Sequence, residues 1–347
     1  MRKTLEKQIN FPQRKILPFY NFKKIFNTSV FQGNHKKRKY FEGWYFKMVA
    51  GDGSAIISVI PGISLSSDGK EQHAFIQLIN GVTGESSYYS FPVEEFSFSK
   101  KYFAIKIGDN LFSKNKLVLD LKDNDSHASG TIEMLNHVDY TSGSLLYPGI
   151  MGWYRFVPFM QCYHGVVSVA NNPQGKLKVN DKEYDFNGGK GYIEKDWGSS
   201  MPSAWIWIQS NYFSNSNSSF MLSIADIPWL GKSFTGFLGF FYHDNKIHHF
   251  ATYRPTKLQL QIPDSNTLKI KIENRKNTFL INAKIKNSGL LHAPAEGSMD
   301  RSISESNDAT LEITMLDNKE NIVFRDSSGI TGLELVGDYK KLQGLIK

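Results

Sequence analysis

The sequence predicts an all-β chain of two antiparallel β-barrel units with few, short helices. Three observations carry this. Apolar and polar residues alternate with a period of two over many short runs, which puts one strand face in a core and the other in water. Turn residues such as Gly51-Asp52-Gly53, Ser67-Asp68-Gly69, Asn187-Gly188-Gly189 and Asp244-Asn245 separate these runs. No long segment repeats at helical spacing. About twenty short strands in succession call for a sandwich or barrel, closure being the usual way to remove exposed edges.

Taken in order, the chain opens on a basic arm. Residues 1–47 hold 12 of the 41 Lys and Arg but only 2 of the 33 acids, so the whole net charge of +8 belongs there. Ten or so strands follow between residues 41 and 227, interrupted at residues 149–159 by GIMGWYRFVPF, which reads as a short helix or lid. A soft boundary falls at residues 228–232. It divides the chain into 1–230, arm plus first barrel unit, and 231–347, the second unit. Roughly eight strands between residues 234 and 336 supply that unit, enough for one small barrel. Its alternation is clean: Leu258, Leu260 and Ile262; Leu268, Ile270 and Ile272; Phe279, Ile281, Ala283 and Ile285; Leu311, Ile313 and Met315.

Composition narrows the function. With 40% hydrophobic, 21% charged and 14% aromatic residues the chain is a globular protein, neither disordered nor fibrous. The single Cys162 cannot form an internal disulfide, which suits a reducing compartment. No apolar run of ~18 residues offers a spanning helix, and the N-terminus lacks the ~7–15-residue apolar core of a signal peptide. The expected location is cytoplasmic, with the arm available to an anionic membrane surface. Nucleic acid is not an expected partner, because the body of the chain is not basic.

Three aromatic-rich stretches hold the candidate chemistry. In YFEGWYFK (residues 40–47) a glutamate sits among five rings. Glu42 is either half of a buried salt bridge or an acid in an apolar pocket. Alternation puts Glu42, Trp44 and Phe46 on one face, and Phe41, Gly43, Tyr45 and Lys47 on the other. In GYIEKDWGSSMPSAWIWIQSN (residues 191–211) Glu194 and Asp196 share a face, with Lys195 opposite. Two carboxylates on one face repel, and a wall of Trp disfavours the anion further, so one of them can hold a proton for general acid catalysis. The competing role is structural, pairing with Lys or Arg and capping the turn at Gly198. In MGWYRFVPFMQCYHG (residues 151–165) Cys162 and His164 share a face. A small buried cysteine is the ordinary reading there, and His164 either orients a substrate hydroxyl or is a hydrogen-bonded core residue. The nine histidines show no His-x-His or HExxH spacing, and GxGxxG, GxxxxGK[ST] and GxSxG are all missing. The expectation is a site with neither metal nor cofactor.

These stretches, together with LHAPAEGSMDRSISES (residues 291–306) and GLELVGD (residues 332–338), resemble the signatures of the tocopherol cyclase family. The resemblance runs from about residue 30 to residue 342 and is distantly shared with carotenoid 1,2-hydratases. It implies a lipocalin-like fold of two β-barrel units and a cofactor-free cyclase acting on a prenylated quinol. A proton adds to the trisubstituted double bond of the isoprenoid tail, and the phenol oxygen captures the tertiary cation to close a chromanol ring. Hydratases of the same type would end with water instead.

On that basis Asp196 is the expected proton donor, Glu194 its partner and Glu42 the second candidate. Aromatic faces stabilise a cation by ~0.5–2 kcal/mol each, which nominates Trp44, Tyr45, Trp197, Trp205 and Trp207. Trp153, Tyr154, His164, Gln209 and Asn211 complete the expected substrate pocket. The alternative is a non-catalytic carrier of a hydrophobic isoprenoid ligand.

Overall fold

The structure, a computed structural model, describes residues 20–123, 126–141, 146–158, 160–229, 231–286 and 289–346. The architecture is all-β. Among the described residues there are 23 strands and one α-helix, the seven-residue α1 (Tyr20–Phe26). The described chain forms two compact units, residues 20–78, 87–200 and 294–300 in the first and residues 79–86, 201–293 and 301–346 in the second.

The first unit is built on one antiparallel sheet. Its strands are β1 (Tyr40–Val49), β2 (Ile56–Leu65), β3 (Gln72–Asn80), β4 (Ser86–Pro92), β5 (Phe96–Phe98), β6 (Ala104–Ile107), β7 (Asn110–Ser113), β8 (Lys116–Lys122), β9 (His127–Val138), β10 (Cys162–Val179), β11 (Lys182–Asp185) and β12 (Lys190–Gly198). They pair in the order β4-β3-β2-β1-β12-β10-β9-β8-β7-β6-β5, with β11 on β10. The sheet curls about one interior: Phe91 of β4 and Phe96 and Phe98 of β5, at opposite ends of that order, pack against the same core as Trp44 of β1. Across this interior Trp44 stacks on Phe103 at 5.5 Å, and Phe46 lies 6.0 Å from Phe112 of β7. Residues 149–159, read as a short helix or lid, contain a 3-10 turn at Gly152–Phe156; Phe159 lies outside the described residues.

The second unit carries the other sheet: β13 (Trp205–Ser210), β14 (Ser219–Trp229), β15 (Lys232–His243), β16 (Lys246–Ala251), β17 (Thr256–Asp264), β18 (Thr267–Asn274), β19 (Asn277–Lys284), β20 (Gly289–Ala295), β21 (Ser298–Asp317), β22 (Ile322–Val336) and β23 (Gly344–Ile346). The order is β16-β15-β14-β13-β22-β21-β19-β18-β17-β23, with β20 on β21. The alternating residues Leu258, Leu260, Leu268, Ile270, Ile272, Phe279, Ile281, Ala283, Leu311, Ile313 and Met315 all enter its core, with Ile262 and Ile285 at the margin. The expected boundary at residues 228–232 is not where the chain changes unit. That turn closes the β14–β15 hairpin, Trp229 opposite Lys232, and the crossing falls between Ser200 and Met201. A Pro-Gly turn signal marks a hairpin as readily as a linker, which is why the sequence misplaced it.

Candidate active site

The site is organised by β12, which lies between β1 and β10. Trp44 pairs with Lys195, Tyr45 with Glu194 and Gly43 with Asp196 across the β1 ladder, and His164 pairs with Asp196 across the β10 ladder. Since side chains alternate across a strand, Lys195 and Trp197 share the core-facing side with Glu42 and Trp44. Glu194 and Asp196 share the opposite side with Tyr45 and His164. The core side is closed to water, Lys195 and Glu42 being fully buried; on the opposite side Glu194 and His164 are nearly so.

The opposite side holds an imidazole between two carboxylates. His164 Nδ1 lies 2.9 Å from Asp196 Oδ1, and Nε2 lies 3.4 Å from Glu194 Oε2. The Tyr192 hydroxyl donates to the same Glu194 oxygen at 2.7 Å. Burial works against the imidazolium, but Asp196 and Glu194 outweigh it and raise the His164 pKa to about 9. At neutral pH the ring is therefore protonated, with Nδ1 hydrogen-bonded to Asp196 and Nε2 in ion-pair contact with Glu194. Asp196 is the member that solvent reaches, its side chain 26% exposed against 6% for Glu194. The Cys162 thiol sits 3.9 Å from Asp196 Oδ1. Burial, and then Asp196, hold its pKa well above the ordinary value, so it stays a thiol.

The core side holds a different device. Lys195 Nζ lies 2.5 Å from Glu42 Oε1, with both side chains wholly buried. Glu42 also accepts from the backbone N–H of Gln32 at 2.9 Å, from that of Gly33 at 3.0 Å and from the Tyr40 hydroxyl. Lys195 donates onward to Thr28 O at 3.0 Å and Val30 O at 2.6 Å. Its ammonium sits 4.6 Å from the Trp44 ring and 4.8 Å from that of Trp197. Burial pulls the Lys195 pKa down to about 8, with Glu42 opposing, which leaves it charged at neutral pH.

The backbone these groups grip, residues 28–33, belongs to no strand. Its polar groups need partners when buried, and side chains supply them. The Trp44 indole donates to Ser29 O at 2.9 Å, the Tyr20 hydroxyl to Phe31 O at 2.6 Å and Lys24 Nζ to Gln32 O at 2.8 Å. Gly165 on β10 lets this strap approach; a Cβ there would lie 3.0 Å from Thr28 Oγ1 and 3.2 Å from the Trp197 ring.

The expected site residues thus separate into groups. Asp196, Glu194 and His164 come together, with Tyr45 beside Glu194 and its hydroxyl accepting from Ser58 at 2.9 Å. Glu42, Trp44 and Trp197 come together around Lys195. Trp153 and Tyr154 stack on each other at 4.1 Å within the Gly152–Phe156 turn. Trp205, Trp207, Gln209 and Asn211 are buried residues of the second unit, where the Trp205 indole donates to Glu334 at 2.5 Å and the Arg301 guanidinium lies 4.8 Å over its ring. Glu334 faces Glu305 across the β21–β22 ladder, and Asn307 donates to Glu305 at 2.8 Å.

Sequence reasoning missed Tyr192 and Lys195 as site residues. The signal was present for Tyr192, which is two residues before Glu194 on the same face. Lys195 needed the β1–β12 pairing. The expectation of no metal rested on sequence spacing, yet one ligand atom each from His164, Glu194 and Asp196 lies within 4.8 Å of the others. A cation there would first have to displace the imidazole's proton, since metals bind the neutral ring.

The fold and the site define an all-β, lipocalin-like protein whose curled sheet buries an acid–imidazole cluster on one side and an ion pair on the other. The chain belongs to the tocopherol cyclase-like family, whose pattern matches residues 137–337. Among curated proteins it is 26% identical over 149 residues to a probable chloroplastic tocopherol cyclase of Oryza sativa subsp. japonica, 41% of this chain and 31% of that one. It is 27% identical over 74 residues to the chloroplastic tocopherol cyclase of Zea mays, 21% of this chain and 16% of that one. The chain thus spans less than a third of the length of these relatives. Among solved structures, CghA has a TM-score of 0.52 at 11% identity, covering 86% of this chain and 89% of that one. At that identity the likeness is one of fold.

Proposed function

We propose that the chain is an acid-catalysed cyclase of a prenylated quinol, with Asp196 as proton donor and His164 and Glu194 as its proton reservoir. The observation that carries this is one buried, protonated imidazole held between two carboxylates, with the outer carboxylate alone accessible. Two acids and an imidazole this close share their protons as a unit. A proton passes from His164 Nδ1 along the 2.9 Å contact to Asp196, and from Asp196 to the less substituted carbon of the tail's trisubstituted double bond. The tertiary cation is captured by the phenol oxygen, and the phenolic proton returns to the Asp196 carboxylate. Atoms balance: the product is an isomer of the substrate, and neither oxidant nor water is consumed.

Incubation of the purified protein with a prenylated quinol and mass spectrometry of the products tests this. An isomer of unchanged mass with the phenol lost supports cyclisation. A product heavier by one water replaces it with hydration, and stoichiometric recovery of bound, unchanged quinol replaces it with a carrier. Asp196→Asn should lower turnover by roughly 10²–10⁴-fold, the usual contribution of a general acid, while the fold is kept.

A further inference from the structure

A second site lies away from the acid cluster, where α1 meets the Gly152–Phe156 turn. A cavity of about 370 Å³ is lined by Tyr20, Phe26, Asn27 and Val30 together with Lys23, Lys100 and Lys101. No acidic residue lines it. At its rim Phe26 is 42% exposed and meets Phe156, 48% exposed, with ring centroids 6.4 Å apart; Trp153, in the same turn, is 41% exposed. Among the described residues of this unit the other large ring exposed to this degree is Tyr102, 43% exposed and next to Lys101 in the chain. Solvated aromatics beside a cluster of lysines are poorly matched to water and well matched to a lipid headgroup layer, where an indole or phenyl ring sits at the interface and ammonium groups meet phosphates. In sequence, residues 1–19, which precede α1, contain five Lys and Arg against one acid.

We propose that this face docks the protein on an anionic bilayer, with Lys23 and Lys101, the exposed lysines of the cavity, taking the phosphate of a lipid headgroup and Phe26, Trp153 and Phe156 entering the interface. The commitment to a bilayer follows from the pairing of the two features. A soluble anion needs the lysines but gives the exposed rings nothing to bury against. The inference is independent of the chemistry proposed at Asp196, since it is read by binding and not by turnover.

Sedimentation of the full chain with phosphatidylcholine vesicles, with and without phosphatidylglycerol, tests it. Binding is expected only to the anionic vesicles. Each lysine near such a surface is worth roughly fivefold in partitioning, so Lys23→Glu with Lys101→Glu should weaken binding roughly twentyfold or more. Phe26→Ser with Phe156→Ser should weaken binding to the same vesicles with the charge untouched. Deletion of residues 1–19 should leave binding that still responds to both pairs. Equal binding to neutral vesicles would overturn the proposal. So would unchanged binding of both paired variants, which would assign the membrane to the arm alone, or competition by inorganic phosphate beyond that of chloride at equal ionic strength. A reading that needs no refolded variant is available in the native protein. Brominated lipid in the anionic vesicles should quench tryptophan fluorescence, and Trp153→Phe should remove most of that quenching; quenching that survives in that variant would place another face on the bilayer.

Discussion

Replacing Lys195 with methionine removes one partner of a fully buried ion pair while keeping much of its volume. Glu42 would retain three donors, the N–H groups of Gln32 and Gly33 and the Tyr40 hydroxyl. These bonds hold the carboxylate in place but leave it buried without its cation. Thr28 O and Val30 O lose their donor as well. Breaking a buried pair from one side costs about 3–5 kcal/mol, a large part of the ~5–15 kcal/mol that holds a typical domain folded. The reverse replacement, Glu42→Gln, should cost about half as much. Burial has already brought Lys195 down to about 8, so it can shed its proton and still donate to the two carbonyls as a neutral amine. The assay is urea unfolding at pH 7 followed by tryptophan fluorescence, to which Trp44 and Trp197 beside the ammonium contribute. The double variant should cost less than the sum of the singles by about 2 kcal/mol or more, as groups in direct contact do. A Lys195→Met cost below about 1 kcal/mol, or strict additivity, would refute the claim that this pair anchors the strap.

The remaining expectations concern the acid cluster. Because its neighbours raise the His164 pKa in the folded state to about 9 from 6.5, the imidazolium contributes stability that is complete below pH 6.5 and is lost as pH rises through about 9. At ~1.4 kcal/mol per unit the full linkage is on the order of 3 kcal/mol, and about half of it disappears between pH 6.5 and 8. The urea midpoint should fall across that interval in the native chain and stay flat in His164→Gln; a rising midpoint would contradict the assignment. Turnover should decline in the same direction, with an apparent pKa near 9 that belongs to the cluster. Chelation tests the ligand geometry of His164, Glu194 and Asp196: turnover unchanged after dialysis against EDTA is expected, and its loss with recovery on adding a divalent cation would replace the proton by a metal.

Much of this architecture is legible in the sequence because the signals are local. The second unit's alternation predicts which residues enter its core, since a strand's own residues decide its two faces. The same rule places Glu42 with Trp44, sets Glu194 and Asp196 apart from Lys195, and directs Lys47 away from Glu42. What alternation cannot supply is the partner. Lys195 meets Glu42 because β1 pairs with β12 in a particular register, a contact between positions some 150 residues apart whose sequence neighbours say nothing of one another. Both readings of Glu42 were open, and the fold supports the salt bridge. The unit boundary failed for a similar reason, since a local turn signal does not say whether the flanking strands continue one sheet.

The run Glu194-Lys195-Asp196 is hard to read as a central strand, since charged residues usually mark a solvated edge. It becomes intelligible once each charge is given its partner. The strand lies between β1 and β10 with Glu194 and Lys195 buried and Asp196 partly so, and buried charges must be matched inside the protein. Alternation sorts them: the cation goes to the core side, where one carboxylate, two carbonyls and two indole faces receive it, and the two anions go to the other side, where one imidazole serves both. The two sides differ in what they leave over. On the core side Lys195 is held directly against Glu42, and the result is a fixed anchor. On the other side two carboxylates share one imidazolium, an imbalance that a static support does not need. With Asp196 open to a ligand, that surplus of negative charge around one imidazole is what the proposed acid chemistry would draw on. The anchor and the acid therefore share one backbone, and a substitution at Lys195 that leaves the chain folded should also disturb the His164–Asp196 contact on the reverse of the same strand.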